Sequence, residues 1–225
     1  MHEYPVFLNL IGKRCLVVGT GGVGRRKAAS LLDAGAEEVL MLDASAPDEA
    51  VLELAGQPHA LFEQRFFDKS DLDGRFLVFA CTSSPSVNEE IARLCRERRI
   101  LCNIADKPDM ADFIVPASFC RGDLRVAVST CGGSPALSRH IRRELEEFFG
   151  EEYAMLLEIM RRLRPMVLSL NRETAWNTTV FRELTTSGLL DALRVRDLDK
   201  VRQILEEVLP APLRDNIPEL LDGLV

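Results

Sequence analysis

The chain has 225 residues, which exceeds one average domain but hardly fills two. Its formal net charge of −7 argues against broad nucleic-acid binding, because neutralising phosphates requires concentrated positive charge. Apolar residues make up 47% of the chain, yet no apolar run approaches the roughly 20 residues that a membrane-spanning helix requires. We therefore expect a globular protein that binds neither nucleic acid nor membrane. The N-terminus lacks the basic start and long apolar stretch of a secretory signal, which favours the cytoplasm.

Near the N-terminus an apolar run passes directly into a glycine-rich turn. Residues 15–18 predict a buried strand, and Gly19, Gly21 and Gly24 follow at the spacing of a dinucleotide-binding turn. In such a turn the first glycine permits a tight bend and the second lets the backbone approach a pyrophosphate. The third lets the following helix pack closely on the strand. The free N–H groups at the start of that helix would face the anion.

A second apolar run, residues 39–42, ends at Asp43 and completes a βαβ unit. Asp43 lies nineteen residues beyond Gly24, where a carboxylate at the end of the second strand can accept both hydroxyl hydrogens of an adenosine ribose. The residues after Asp43 offer no arginine for a 2′-phosphate, which favours NAD over NADP, although Arg25 and Arg26 are close in sequence. The alternative is a structural turn with a solvated aspartate.

The strand-helix rhythm continues through the first half of the chain. Residues 61–66, 76–81 and 101–104 predict further strands, and together they imply a parallel sheet of an α/β fold. Ligands of open parallel sheets bind outside the carboxyl ends of the strands. We therefore expect Thr82, Ser83 and the residues just after position 104 to line one crevice.

Asp106 follows the last of these strands by two residues. An aspartate with an unperturbed pKa of about 3.9 is ionised at neutral pH, so it can accept the proton whose loss accompanies hydride removal. The run from Asp106 to Asp109 is also good turn chemistry, which leaves a turn role open. Asp109 and Asp112 are alternative candidates for the base.

Beyond these strands the pattern changes to a hairpin and then to helices. Residues 113–116 and 125–129 predict two extended segments around a turn at residues 121–123. Gly132 and Gly133 precede a helix that Ser134 would cap, and these residues make a second candidate anion site. Between residues 121 and 143 there are five arginines and one acid. The alternative is a plain helix cap with a solvated basic face.

The last third of the chain carries apolar residues at helical intervals, which predicts a small helical domain punctuated by Pro165, Gly188 and Pro210. The six cysteines are scattered through apolar segments without a Cys-x-x-Cys pair, so they are interpreted as core thiols. The three histidines are dispersed, and no metal site is expected.

The order of these motifs is similar to that of a known family. The glycine turn through Lys27, the Asn103–Asp106 segment, the Phe-Ile-Val-Pro run from Phe113 and the segment 129–137 together resemble the precorrin-2 dehydrogenases of sirohaem synthesis. The resemblance extends from about Pro5 to about Phe149, and it is looser in the helical region. No methyltransferase domain follows, so the chain resembles the stand-alone form of the family.

The resemblance implies that NAD oxidises precorrin-2 to sirohydrochlorin, and Asp106 matches the essential aspartate of the family. Family contacts to NAD carry onto Gly22, Val23, Asp43 and Ala44, and Thr130 falls beside the tetrapyrrole site. The candidate cofactor residues are therefore Gly19, Gly21, Gly22, Val23, Gly24, Asp43, Ala44, Thr82 and Ser83, and the candidate substrate residues are Asn103, Thr130, Gly132, Gly133, Ser134 and Arg139.

The resemblance also implies three regions and a homodimer. We expect a Rossmann-type NAD domain over residues 1–112, a small α+β dimerisation and substrate region over 113–149, and a helical domain over 150–225. Thr20 departs from the pattern, since many members have glycine there. Some relatives also insert ferrous iron into sirohydrochlorin with the same aspartate, which is one alternative function. A regulatory domain that senses NAD without catalysis is another.

Overall fold

The computed structural model describes residues 3–105 and 107–224. The described chain divides into two compact units, one formed by Tyr4–Val115 and the other by Glu3 with residues 116–224. The three predicted regions, with boundaries at 112 and 149, remain a prediction. No helix in the described ranges combines the length and the apolar character needed to cross a membrane.

The first unit is built on a five-stranded parallel sheet with the strand order β3-β2-β1-β4-β5. This order is that of the first five strands of a Rossmann fold and confirms the predicted α/β fold. The strands are β1 (Arg14–Val18), β2 (Glu38–Asp43), β3 (Ala60–Gln64), β4 (Leu77–Ala80) and β5 (Leu101–Ile104), and the helices are α1 (Gly22–Asp33), α2 (Glu49–Ala55) and α3 (Pro85–Arg98).

Alternate residues of the central strands point to opposite faces of this sheet, and both faces are buried. Cys15 and Val17 of β1 belong to a core cluster that includes Ala28 of α1. Leu16 and Val18 belong to a second cluster that includes residues of α3. Burial on both faces explains why β1 is a continuous apolar run rather than an alternating one.

The second unit holds an antiparallel hairpin and a set of helices. The hairpin prediction is confirmed, but its first strand begins at Ala117 rather than at Phe113, because Asp112 and Phe113 are hydrogen-bonded to β5. The elements are β6 (Ala117–Arg121), β7 (Leu124–Val128), α4 (Pro135–Phe148), α5 (Glu151–Ser169), α6 (Thr174–Thr186), α7 (Leu189–Arg194), α8 (Leu198–Val208) and α9 (Ile217–Leu221). Short 3₁₀ helices lie at Lys69–Leu72 and Pro108–Met110 in the first unit and at Ala211–Asn216 in the second.

Two further expectations about the chain need correction. Pro165 lies inside α5 and does not end it. The proline is exposed, so water can reach the carbonyl that it leaves unbonded, while Leu163 and Val167 on either side are fully buried and hold the helix in place. Cys120 and Cys131 are exposed rather than in the core.

Candidate nucleotide-binding site

A cleft of about 480 Å³ opens at the carboxyl ends of the parallel strands. Val18 at the end of β1 is in register with Leu42 of β2 and with Ala80 of β4, so the residues that follow these strands meet at one edge. The chain order reverses between β1 and β4, which is where open α/β sheets bind ligands. Every predicted cofactor residue except Gly24 lines this cleft: Gly19, Gly21, Gly22, Val23, Asp43, Ala44, Thr82 and Ser83.

Gly19 and Gly24 are required by the backbone itself. Gly19 has φ +93°, and a Cβ there would lie 2.5 Å from the carbonyl oxygen of Cys81. A Cβ on Gly24 would lie 1.8 Å from the carbonyl oxygen of Gly19. Gly24 is therefore the position where α1 packs tightly on the turn, which is the role of the third glycine in a dinucleotide-binding turn.

Gly21 and Gly22, by contrast, face open space. A Cβ on either residue would meet no heavy atom within 4 Å. Gly21 is the N-cap of α1 and offers no side chain to bond the free N–H groups of the first helical turn. An anion placed there would accept these hydrogen bonds and would also interact favourably with the helix dipole. The turn thus fits a pyrophosphate.

Asp43 stands at the end of β2 and is held by three donors. The N–H and the hydroxyl of Thr20 donate to its Oδ2 over 2.7 and 3.0 Å, and the N–H of Ser45 donates to its Oδ1 over 2.9 Å. Partial burial raises the pKa of Asp43, but these hydrogen bonds outweigh that effect and hold the pKa below its usual value. The group is therefore a fixed carboxylate at neutral pH.

Two arginines near the cleft are already paired with acids. Arg65 lines the cleft, but its guanidinium donates to both carboxylate oxygens of Asp71 over 2.6 and 2.8 Å and to Glu63 over 2.6 Å. Arg25 forms an ion pair of 2.6 Å with Asp48. A 2′-phosphate would have to compete with these carboxylates for either guanidinium.

Asn88 orders the turn after β4, a role that the sequence did not indicate. This buried amide accepts from the N–H and the hydroxyl of Thr82 over 3.1 and 2.7 Å, and its Nδ2 donates to the Thr82 carbonyl over 3.0 Å. The three bonds fix Thr82 and the adjoining Ser83 at the cleft wall. An asparagine six residues after a threonine is no local signal, since α3 brings the two together only in the fold.

Asp106, the predicted base, lies outside the described residues. Its predicted alternative Asp112 is bound to β5, where its Oδ2 accepts from the N–H of Cys102 over 2.9 Å. That bond makes Asp112 a structural residue. Asn103 is also turned to the backbone, because its Nδ2 donates to the carbonyl of Phe113 over 2.8 Å. A direct substrate contact from Asn103 remains a prediction.

The remaining candidate substrate residues belong to the second unit. The hydroxyl of Thr130 accepts from the N–H of Ser134 over 3.0 Å, and the hydroxyl of Ser134 accepts from the N–H of Leu137 over 3.2 Å. Ser134 therefore caps α4, as predicted. Gly132 has φ +81° and a Cβ there would meet nothing within 4 Å, and Arg139 is exposed on the first turns of α4. Gly133 closes the turn by donating to the Thr130 carbonyl.

The sheet order, the glycine turn and the acid at the end of β2 define a dinucleotide-binding protein of the Rossmann class. Comparison with known families agrees. Residues 6–117 match the family model described as putative NAD(P)-binding, and residues 121–147 match the central segment of sirohaem biosynthesis proteins. The two models match neighbouring segments in the order of the motifs, which confirms the resemblance to sirohaem biosynthesis proteins.

Curated relatives carry the same pattern over most of the chain. The siroheme synthase of Thioalkalivibrio sulfidiphilus is 32% identical over 95% of this chain and 43% of its own length. That of Enterobacter sp. is 34% identical over 99% of this chain and 49% of its own length. The chain thus spans about half the length of the curated relatives it matches. A solved structure, SirC, precorrin-2 dehydrogenase, shares the fold with a TM-score of 0.70 and 24% identity, covering 92% of this chain and 98% of that chain.

Proposed function

We propose that the protein is an NAD-dependent dehydrogenase that oxidises precorrin-2 to sirohydrochlorin. The observation that carries the proposal is the cleft that joins the open glycine turn to the fixed carboxylate of Asp43. The names of the relatives and of the structural neighbour, siroheme synthase and precorrin-2 dehydrogenase, supply the substrate class.

NAD rather than NADP is the cofactor that the cleft favours. Asp43 is an anion, so it would accept a hydrogen bond from a ribose hydroxyl and would repel a 2′-phosphate. Two arginines near the cleft, Arg25 and Arg65, are paired with Asp48 and Asp71. The sequence left Arg25 and Arg26 as points in favour of NADP. The ion pair of Arg25 with Asp48 weakens the first, whereas Arg26 donates to the carbonyl of Gly22 over 3.2 Å and remains a point in favour of NADP.

We assign proton transfer to Asp106. Bound NAD would supply the hydride acceptor. The substrate loses a hydride from one carbon and must lose a proton from a neighbouring atom, so that a new double bond forms and charge balances. A carboxylate is the simplest acceptor. Asp112, which the sequence offered as an alternative, is tied to β5, because its Oδ2 accepts from the N–H of Cys102.

The second unit supplies the candidate contacts to the tetrapyrrole. Precorrin-2 is a polycarboxylate, and the α4 N-terminus with its Gly132-Gly133-Ser134 turn offers N–H groups and the arginine Arg139 to carboxylates. These residues would bind the acidic rim of the substrate, despite the net charge of −7 of the whole chain.

A homodimer completes the proposal. The hairpin β6–β7 packs against α4 and α5 of the same unit, so the case for a dimer depends on the exposed side of α4. On α4, Leu137 and Phe148 are 48% and 63% exposed. A second copy of the chain would bury such apolar side chains. The molar mass from light scattering is expected to be twice 25.2 kDa.

The proposed function is tested by mixing the protein, NAD and precorrin-2 without oxygen. We expect NADH absorbance to rise in step with the visible spectrum of sirohydrochlorin. Binding of NAD with no spectral change, in protein that is properly folded, would instead favour the nucleotide-sensing alternative. Failure to bind NAD at all would overturn both.

A further inference from the structure

The side chain of Phe66 lines the cleft and is 82% exposed. Phe67, the next residue, packs against the core of the first unit. A large aromatic ring that stays in water beside a ligand cleft loses the free energy that burial would provide. The ring is therefore in a position to be covered by whatever binds in the cleft.

The backbone that carries Phe66 is held in place. The guanidinium of Arg65 donates to the Phe66 carbonyl over 3.1 Å while its other N–H groups bond Asp71. Asp71 is buried and also accepts from the N–H of Asp68 over 2.8 Å. Arg65 thus clamps the segment between β3 and the following 3₁₀ helix at both ends. The exposed position of Phe66 follows from an ordered backbone.

Three neighbouring strands of the sheet are each followed by a residue or turn that could contact one part of a nucleotide. The glycine turn follows β1, Asp43 follows β2, and Phe66 comes two residues after the end of β3, whose Gln64 is in register with Asp43. These strands are neighbours in the order β1, β2, β3. If the phosphate binds at the turn and the ribose at Asp43, the base that is attached to this ribose therefore lies near the end of β3.

We propose that Phe66 is the platform on which the adenine of NAD stacks. The inference rests on the proposed function, because it takes the ligand to be a dinucleotide, and it adds a residue that determines affinity for the base. Purine rings stack on aromatic side chains without needing a particular hydrogen-bond pattern, so a phenylalanine suffices.

The test compares Phe66→Ala and Phe66→Tyr in the full-length chain by calorimetric titration with NAD and with ADP-ribose, which lacks nicotinamide. Phe66→Ala is expected to weaken both ligands about tenfold, which is in the range for loss of one aromatic-base stack. Phe66→Tyr keeps the ring and is expected to bind within about twofold of the unchanged protein.

Phe7→Ala is the matched control, since Phe7 is 74% exposed in the same unit but does not line the cleft. It should leave both affinities unchanged. If the unchanged protein binds NAD and Phe66→Ala binds it equally well, the inference is wrong while the proposed function stands. If the unchanged protein binds neither ligand, the proposed function fails and the inference with it.

Discussion

Thr20 binds the carboxylate of Asp43 twice, through its N–H at 2.7 Å and its hydroxyl at 3.0 Å, and both donors meet the same oxygen, Oδ2. The other oxygen, Oδ1, accepts from the N–H of Ser45. A carboxylate oxygen has two lone pairs, so acceptor capacity for a ribose hydroxyl remains on Oδ1 rather than on Oδ2. The residue that departs from the family pattern, a threonine in place of glycine, thus adds a hydroxyl to the donors that orient the carboxylate.

Replacing Asp43 by alanine is expected to weaken NAD more than NADP. The change removes an acceptor of ribose hydroxyls, which only NAD presents at the 2′ position, and it removes an anion that repels the 2′-phosphate. Dissociation constants for both cofactors, measured by calorimetry, give the ratio directly. An equal loss for the two cofactors would show that Asp43 does not contact the ribose.

The Thr20 hydroxyl is tested by exchanging it for a methyl group. Thr20→Val keeps the shape and the backbone N–H, so it is expected to lower NAD affinity severalfold by releasing one bond to Asp43, in the range of about 0.5–1.5 kcal/mol. Thr20→Ser restores the hydroxyl and is expected to restore affinity. Because Thr20 is buried, thermal unfolding of all three proteins must be compared. Equal NAD affinity in Thr20→Val and Thr20→Ser would argue against a positioning role.

Alanine substitutions at two glycines of the turn are expected to have different effects, one on NAD binding and the other on stability. Gly21→Ala adds a Cβ to open space at an ordinary φ of −60°, so it should leave stability unchanged and weaken NAD by crowding the pyrophosphate. Gly24→Ala forces its Cβ against the Gly19 carbonyl and should destabilise the first unit by about 1–3 kcal/mol or more. Denaturation and NAD titration of both variants separate the effects. Unfolding of Gly21→Ala would contradict this assignment.

Asp106→Asn is expected to keep NAD affinity and to lose most turnover, because an amide cannot accept the proton. Asp109→Asn is the matched control, since it is an exposed aspartate three residues away and was an alternative base in the sequence. Turnover follows NADH absorbance with precorrin-2 under saturating NAD. If Asp109→Asn loses turnover and Asp106→Asn does not, the base has been misassigned.

The sequence predicted well those parts of the fold that depend on residues close together in the chain. The strand, turn, helix and strand from β1 to Asp43 depend on glycine positions and apolar runs within thirty residues of one another. Helix α6 falls in the region that was predicted to be helical even though it is rich in threonine, and Val180 and Leu184 are its buried residues. Its threonine hydroxyls bond carbonyls of the preceding turn, which a propensity scale counts against a helix.

Site residues that act through tertiary contacts could not be read from spacing. Asn88 reaches Thr82 only because α3 folds back over the end of β4, and Asp112 reaches Cys102 only because the chain returns along β5. The pairing of Arg65 with Asp71 likewise decides whether a cleft arginine is free for phosphate. The sequence identifies the acidic and basic residues, whereas the fold decides which of them are free to bind a ligand.

Stability of the first unit is expected to fall in acid through Asp71. Burial raises the pKa of this carboxyl, but hydrogen bonds from Arg65 and from the N–H of Asp68 outweigh it, so the folded pKa lies below the usual value. A group whose pKa is lowered on folding contributes stability that is complete above its unfolded pKa of about 3.9 and is lost as the pH falls through its folded pKa.

Asp71→Asn is therefore expected to destabilise the unit at pH 7. It is also expected to reduce the fall in stability between about pH 4 and the lower pKa of folded Asp71. The cost should be near the lower end of about 1–3 kcal/mol, because Arg65 is 39% exposed and water partly replaces its partner. Urea unfolding by circular dichroism from pH 7 to 3 measures both. Trp176, the single tryptophan, lies in the second unit, so its fluorescence does not report directly on the first. Asp33→Asn changes an exposed aspartate on α1 and is the control. If the pH profile of Asp71→Asn runs parallel to the profiles of Asp33→Asn and of the unchanged protein, the Arg65–Asp71 pair does not have this role.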